Sequence, residues 1–379
     1  MTRFRIPFNK PSFAGDEKRY IADAIERGHI SGDGHYTKLC HALLEQALGA
    51  HKVLLTTNCT HALEMTGFLL DLQPGDEVIV PSFAFVTTAN AYAVRGAKPT
   101  FVDVRPDTLN LDEKLVERAI TPRTKAIIAL HYAGIACEMD ALLALGRKHG
   151  IEVIEDNAHG LFGRYKQRWL GTLGALGTQS FHETKNFTCG EGGALLVNDA
   201  RYAERAEIIR EKGTNRSRFL RGEVHKYSWV DLGSSYLPTD MLAAFLLAQL
   251  EARERIQKRR GEIWRRYARE LAGWAKELGA TLPVVPEGCD PSWHLFYMLL
   301  PRASMREAFL DHLGARGILG VFHYLPLHLS DMGQRYGGRA GDCPVAEDTS
   351  SRLVRLPFFN SLTESEQGEV IETVASFHG

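Results

Sequence analysis

One lysine stands among small polar and glycine residues in the segment Ser180-Phe-His-Glu-Thr-Lys185-Asn-Phe-Thr-Cys-Gly-Glu-Gly-Gly193. An amine bounded in this way is a candidate Schiff-base nucleophile. To attack a carbonyl it must lose its proton, which partial burial beside a cofactor makes easier. An ordinary loop cation is the alternative for Lys185 taken alone. Upstream, Val153-Ile-Glu-Asp156-Asn-Ala-His159-Gly160 ends an apolar run on an acid. In α/β sheets the carboxyl ends of strands face the ligand crevice. A carboxylate there can hold a pyridine nitrogen protonated, the condition under which pyridoxal phosphate accepts electrons. A helix cap or a metal ligand is an equally good account of Asp156 in isolation.

Two further segments complete the set. Thr56-Thr-Asn-Cys59-Thr60-His-Ala-Leu opens a helix with small polar residues, and the free N–H groups of such a start suit a phosphate, although plain capping explains it equally well. Pro81-Ser-Phe-Ala-Phe85-Val-Thr-Thr88 follows an apolar strand and offers Phe83 and Phe85 for stacking on a planar ring, with simple core packing the commoner fate of such rings. The order of phosphate cradle, aromatic, acid and lysine is more specific than any one of them.

These residues need a scaffold that presents strand ends side by side. Glu77–Pro81, Thr100–Val104, Ala126–Leu130, Glu152–Glu155 and Ala194–Val197 are short apolar runs alternating with helical stretches, which predicts a mainly parallel sheet covered by helices on both faces. Ala62, Met65, Leu69 and Leu72 share one helical face between Thr60 and Gln73, with Pro74-Gly75-Asp76 as the stop. After about residue 250 the texture changes to a long helix with the stripe Ile256, Ile263, Tyr267, Leu271 and Trp274. Its arginines interleave with Glu251, Glu254, Glu262 and Glu270, as on a solvated face. We therefore expect a large domain over 1–250 and a smaller α+β domain over 251–379.

Composition narrows the function. The 379 residues carry 45 Lys+Arg against 46 Asp+Glu, a formal net charge of -1, which removes the electrostatic footprint of general nucleic-acid or anionic-membrane binding. No window is apolar for long enough to span a bilayer, and Met1-Thr-Arg-Phe-Arg-Ile-Pro7 lacks the order of a signal peptide, so a cytoplasmic protein is expected. The six cysteines are scattered without a Cys-x-x-Cys pair and read as reduced thiols, with no metal site.

Taken together, and with Pro7-Phe-Asn-Lys-Pro11, His131-Tyr-Ala-Gly-Ile-Ala-Cys-Glu-Met-Asp140, Phe181-His-Glu-Thr-Lys-Asn186 and Ile209-Arg-Glu-Lys-Gly-Thr-Asn-Arg216, the chain resembles the DegT/DnrJ-type nucleotide-sugar aminotransferases through nearly its whole length. The resemblance implies pyridoxal-phosphate fold type I, with Lys185 as the Schiff-base lysine and Asp156 as the partner of the pyridinium nitrogen. It implies Phe85 against the ring, and Cys59, Thr60 and Ser180 around the phosphate. His159 stands where many members have glutamine near the cofactor hydroxyl. Gly233-Ser-Ser235-Tyr-Leu-Pro238 matches a stretch that relatives donate across a dimer interface to the neighbour's phosphate, with Ser235 in place of their asparagine.

Gly32-Asp33-Gly34 falls where the family has a substrate loop, although such a run is ordinarily a turn. His323-Tyr324-Leu-Pro-Leu-His328 falls near the nucleotide-sugar pocket, although aromatic strand residues beside a proline are ordinarily structural. The implied activity is a homodimer's amination of dTDP-4-keto-6-deoxy-D-glucose to dTDP-4-amino-4,6-dideoxy-D-galactose, with L-glutamate as donor, for surface glycans such as enterobacterial common antigen. The rivals are an aminotransferase for another keto position or nucleotide sugar, and a non-catalytic cofactor-binding regulator. A dehydratase on this scaffold is disfavoured because those enzymes replace the lysine by histidine.

Overall fold

The computed structural model describes residues 4–378; Met1–Arg3, where the reading of a targeting signal begins, and Gly379 lie outside it. Seven strands form the central sheet: β1 Lys52–Thr56, β2 Glu77–Pro81, β3 Lys98–Val102, β4 Thr124–Leu130, β5 Glu152–Asp156, β6 Leu176–Ser180 and β7 Gly193–Val197. Their order is β1-β7-β6-β5-β4-β2-β3, and only β7 runs against the rest. The predicted parallel sheet is thus observed with one reversed strand. β7 can reverse because the 181–192 loop returns the chain directly beside β6, as a hairpin rather than a crossover.

Alternation sorts the side chains. Val78, Val80, Ile128 and Ile154 join one buried cluster, whereas Ile79, Ile127 and Val153 join another on the opposite face. Both faces are covered, as parallel sheets require. The predicted Thr100–Val104 strand starts and stops two residues earlier, as Lys98–Val102. Asp103 leaves the ladder because its carboxylate accepts the N–H groups of Val345 and Ala346 at 2.8 and 2.9 Å. The helix expected over Thr60–Gln73 is Cys59–Leu69, shorter at its end. Asp71 adopts a left-handed φ of 52°, and the Asp71 and Leu72 N–H groups return to Phe68 and Gly67, a Schellman stop ahead of Pro74.

A second core gathers Ile263, Tyr267, Leu271, Trp274, Phe296, Phe309, Val354 and Val370, and takes in Ile6 from the other end of the chain. The helix Arg253–Glu270 joins the two, since Ile256 packs in a cluster against the sheet while Ile263 and Tyr267 pack in the second core. One of its arginines corrects the solvated-face reading. Arg260 is 3% exposed and gives its guanidinium to the carbonyls of Trp293 and His294. It lies four residues after Ile256 and three before Ile263, on the apolar stripe itself. All six cysteines are free, and no helix among the described residues is long and apolar enough to cross a membrane.

Candidate active site

β1, β2, β5 and β6 are parallel, so their carboxyl ends open on the same edge of the sheet. Each is followed by one of the segments singled out above. A cavity of about 1090 Å³ lies there, and Cys59, Thr60, Phe85, Asp156, His159, Ser180, Lys185, His323 and Tyr324 all line it. Gly32, Asp33 and Ser235 do not line the cavity of their own chain. Asp33 is instead ion-paired with the buried Arg210 at 2.8 Å, and Ser235 is exposed, its backbone bridged to Glu211.

Lys185 is deeply buried, and loss of hydration depresses its pKa to about 8 against the opposing pull of Cys59 and Asp156. A buried amine in that range is neutral for part of the time near neutral pH. Asp156 is buried at the end of β5, and desolvation raises its pKa against hydrogen bonds from the Thr88 hydroxyl at 2.7 Å and the Ala158 N–H at 3.3 Å. The acid and the amine attract each other across the cavity.

The phosphate end is built by Asn58, whose side chain accepts the His61 N–H at 2.8 Å and caps the helix Cys59–Leu69. The first N–H groups of a helix have no intrahelical partner, and here they open on the cavity beside Cys59 and Thr60. A Cβ on Gly193 would come within 2.3 Å of the Asn58 backbone, so glycine there lets the helix start press against β7. Of the two candidate aromatic faces, Phe83 is fully buried core and Phe85 is 54% exposed at the cavity mouth.

One wall is a row of rings. His159 stacks on His294 with centroids 4.2 Å apart, and His323 stacks on Tyr324 at 3.7 Å. The His159 Nδ1 accepts the Ala133 N–H at 3.3 Å, which leaves the proton on Nε2, 3.2 Å from the Tyr324 hydroxyl. Tyr132 and His323 are hydrogen-bonded at 2.6 Å. Burial holds all three histidines well below their ordinary pKa, so the row is neutral. His294, Arg355 and Thr88 were not found from the sequence. Only Thr88 carried a signal, as the last residue of the Pro81–Thr88 segment.

The donor set fits pyridoxal phosphate: a cradle of helix N–H groups, a buried acid with one oxygen held by Thr88, and a buried amine of depressed basicity. Among the described residues no group of His, Cys, Asp and Glu is arranged to hold a metal ion.

Residues 11–375 match the model of the DegT/DnrJ/EryC1/StrS aminotransferase family. The spore coat polysaccharide biosynthesis protein SpsC of Bacillus subtilis is 31% identical over 380 residues, covering 97% of this chain and 96% of that one. The crystal structure of the aminotransferase TlmJ from Streptoalloteichus hindustanus superposes with a TM-score of 0.89 at 32% identity, covering 98% of each chain. The PLP-form of the putative sugar aminotransferase Spr1654 from Streptococcus pneumoniae gives a TM-score of 0.90 at 27% identity, again over 98% of each chain.

Proposed function

Because the chain belongs to the DegT/DnrJ/EryC1/StrS aminotransferase family, we propose that it moves an amino group from L-glutamate to C4 of dTDP-4-keto-6-deoxy-D-glucose, giving dTDP-4-amino-4,6-dideoxy-D-galactose. The observation that carries the transamination is the pairing of buried Lys185 and buried Asp156 in one cavity at the strand ends. The choice of sugar rests on the segments His131–Asp140, Phe181–Asn186 and Ile209–Arg216. The first of these forms the wall against which His159 and His323 are bonded.

Pyridoxal 5'-phosphate supplies the electron sink that lets a C–H bond beside nitrogen ionise. The residues of this chain do the rest. The helix start with Cys59, Thr60 and Ser180 holds the phosphate. Asp156 holds the ring nitrogen charged, and Thr88 fixes the carboxylate so that one oxygen faces the cavity. Lys185 is the cofactor's covalent anchor and, once displaced by the donor, the base whose Nζ takes the α-proton of glutamate and returns it on the opposite side of the exchange. Its basicity, near pKa 8, suits it to both directions. His159 presents its Nε2 proton towards the cofactor's hydroxyl side, and the neutral ring wall lines the path of the sugar.

We assign the working form as a cytoplasmic homodimer in which the Gly233–Tyr236 stretch, with Ser235, and the Gly32–Asp33 loop reach the partner's cavity. The exposed Leu220, Trp229 and Leu232 near that stretch support it, Trp229 being 77% exposed. Purified protein with glutamate and a panel of dTDP- and UDP-linked 4-keto and 3-keto sugars tests the proposal by NMR of the products. An amine at C4 with galacto configuration is expected. An amine at C3 would overturn the sugar, and sedimentation of a fully active monomer would overturn the shared site.

A further inference from the structure

The segment from Val321 to His328 crosses the cavity mouth as a strap and carries Phe322, His323 and Tyr324 into the lining. One end is held by Val321, which exchanges backbone hydrogen bonds with Arg355 at 3.1 and 2.7 Å. The other end is held by Ser82, whose carbonyl accepts the Leu327 N–H at 2.8 Å. Ser82 also meets His328, with Oγ 2.5 Å from Nδ1, and His328 Nε2 meets the Glu347 carboxylate at 3.0 Å. Ser82 and His328 are fully buried, and Glu347 closes the series near the surface.

The proton positions follow from the partners. Glu347 can only accept, so Nε2 carries the proton, and Nδ1 accepts from the Ser82 hydroxyl, whose oxygen takes the His328 backbone N–H at 3.5 Å. No cavity-lining surface belongs to Ser82, His328 or Glu347. The arrangement therefore performs no chemistry of its own. What it does is tie three separate pieces of chain: the segment after β2 that carries Phe85 and Thr88, the strap, and the helix Pro344–Arg352.

We infer that Ser82, His328 and Glu347 are positioning residues for the sugar: they set the strap's height over the cavity and so the fit of the nucleotide-linked sugar, while leaving the amino donor's access untouched. This rests on the substrate reading above. The strap presents aromatic faces, with Phe322 54% exposed and Phe85 opposite it equally so, a surface suited to a sugar ring and a base. Glutamate is small and doubly anionic and finds no charge in Phe322, His323 or Tyr324. A strap displaced by about an ångström loses reacting geometry for the large substrate alone.

The test uses the holoenzyme and its His328→Ala, Ser82→Ala and Glu347→Gln variants. Calorimetry measures binding of dTDP-4-amino-4,6-dideoxygalactose, and stopped-flow absorbance follows the half-reaction with glutamate. His328→Ala should weaken sugar binding about tenfold and Ser82→Ala about threefold, with the glutamate step within about twofold of wild type. Should His328→Ala not fold, Ser82→Ala and Glu347→Gln, which keep the imidazole, carry the same expectation. Equal loss in both measurements, or unchanged sugar affinity in all three variants, would overturn the positioning role. Failure of the wild-type enzyme itself to bind this sugar would overturn the substrate reading and, with it, the role assigned to the strap.

Discussion

Glu155 and Asp156 are neighbours on β5, both buried, and they point to opposite faces of the sheet. Glu155 is saturated: it accepts N–H donors from His131 at 2.9 Å, Gly171 at 2.7 Å, Leu173 at 2.6 Å and Gly174 at 2.7 Å. Asp156 has only the Thr88 hydroxyl and the Ala158 N–H, and its pKa is pushed up because those contacts do not offset the lost hydration. Equal burial thus yields a structural acid in one case and an acid that awaits a cation in the other. The difference is the partner set, and it marks the face on which function sits.

Substitutions separate the two sides. The largest effect is expected at Lys185, the counterpart of Asp156: Lys185→Ala should abolish transamination while the folded protein retains cofactor affinity through phosphate and ring contacts, read by turnover and by absorbance on cofactor titration. Asp156→Asn should lower kcat by about a hundredfold or more, the scale of losing one key electrostatic group. Its apoenzyme should melt no lower than wild type, because an uncompensated buried carboxylate has gone.

The pH dependence has a definite sign. Asp156 holds its proton to higher pH in the folded than in the unfolded chain, so its contribution to apoenzyme stability falls as pH rises from its unfolded pKa through its raised folded one. Asp156→Asn should flatten that part of the stability profile, measured by denaturant melts across acid pH. Glu155→Gln should behave oppositely to Asp156→Asn. An amide NH2 facing backbone N–H donors leaves them unpaired, at a cost of about 3 kcal/mol of stability, while kcat of the folded fraction stays within a few-fold. A Glu155→Gln enzyme as stable as wild type would break the comparison.

The smallest effect is at Thr88. Thr88→Val removes one hydrogen bond from the Asp156 carboxylate and should cost about 1 kcal/mol of transition-state stabilisation, seen in kcat/KM.

Much of this was legible in the sequence, for a reason the sheet makes plain. Strand runs announce themselves by β-branched composition, and in a parallel sheet whatever follows each run arrives at the same edge, so Cys59, Thr60, Phe85, Asp156, Ser180 and Lys185 come together without long-range knowledge. The pairing of Thr88 with Asp156 was not legible, because two segments 68 positions apart meet through a hydroxyl with no pattern of its own. Nor were Arg355 and His294, which the second core delivers to the cavity from residues that look like ordinary strand and loop. Arg260 was misread although its spacing placed it on the apolar stripe, because charge outweighed position. Asp103 shows the same effect at β3, where a distant helix start outcompetes the ladder.

The account's central claim is that Lys185, on the under-partnered side of β5, is the covalent anchor. Reducing the holoenzyme with borohydride and mapping the modified peptide by mass spectrometry tests it most directly. The account predicts one cofactor adduct, on Lys185, in the peptide spanning the Ser180–Gly193 segment. An adduct on another lysine, or none in a protein that nevertheless transaminates, would contradict it.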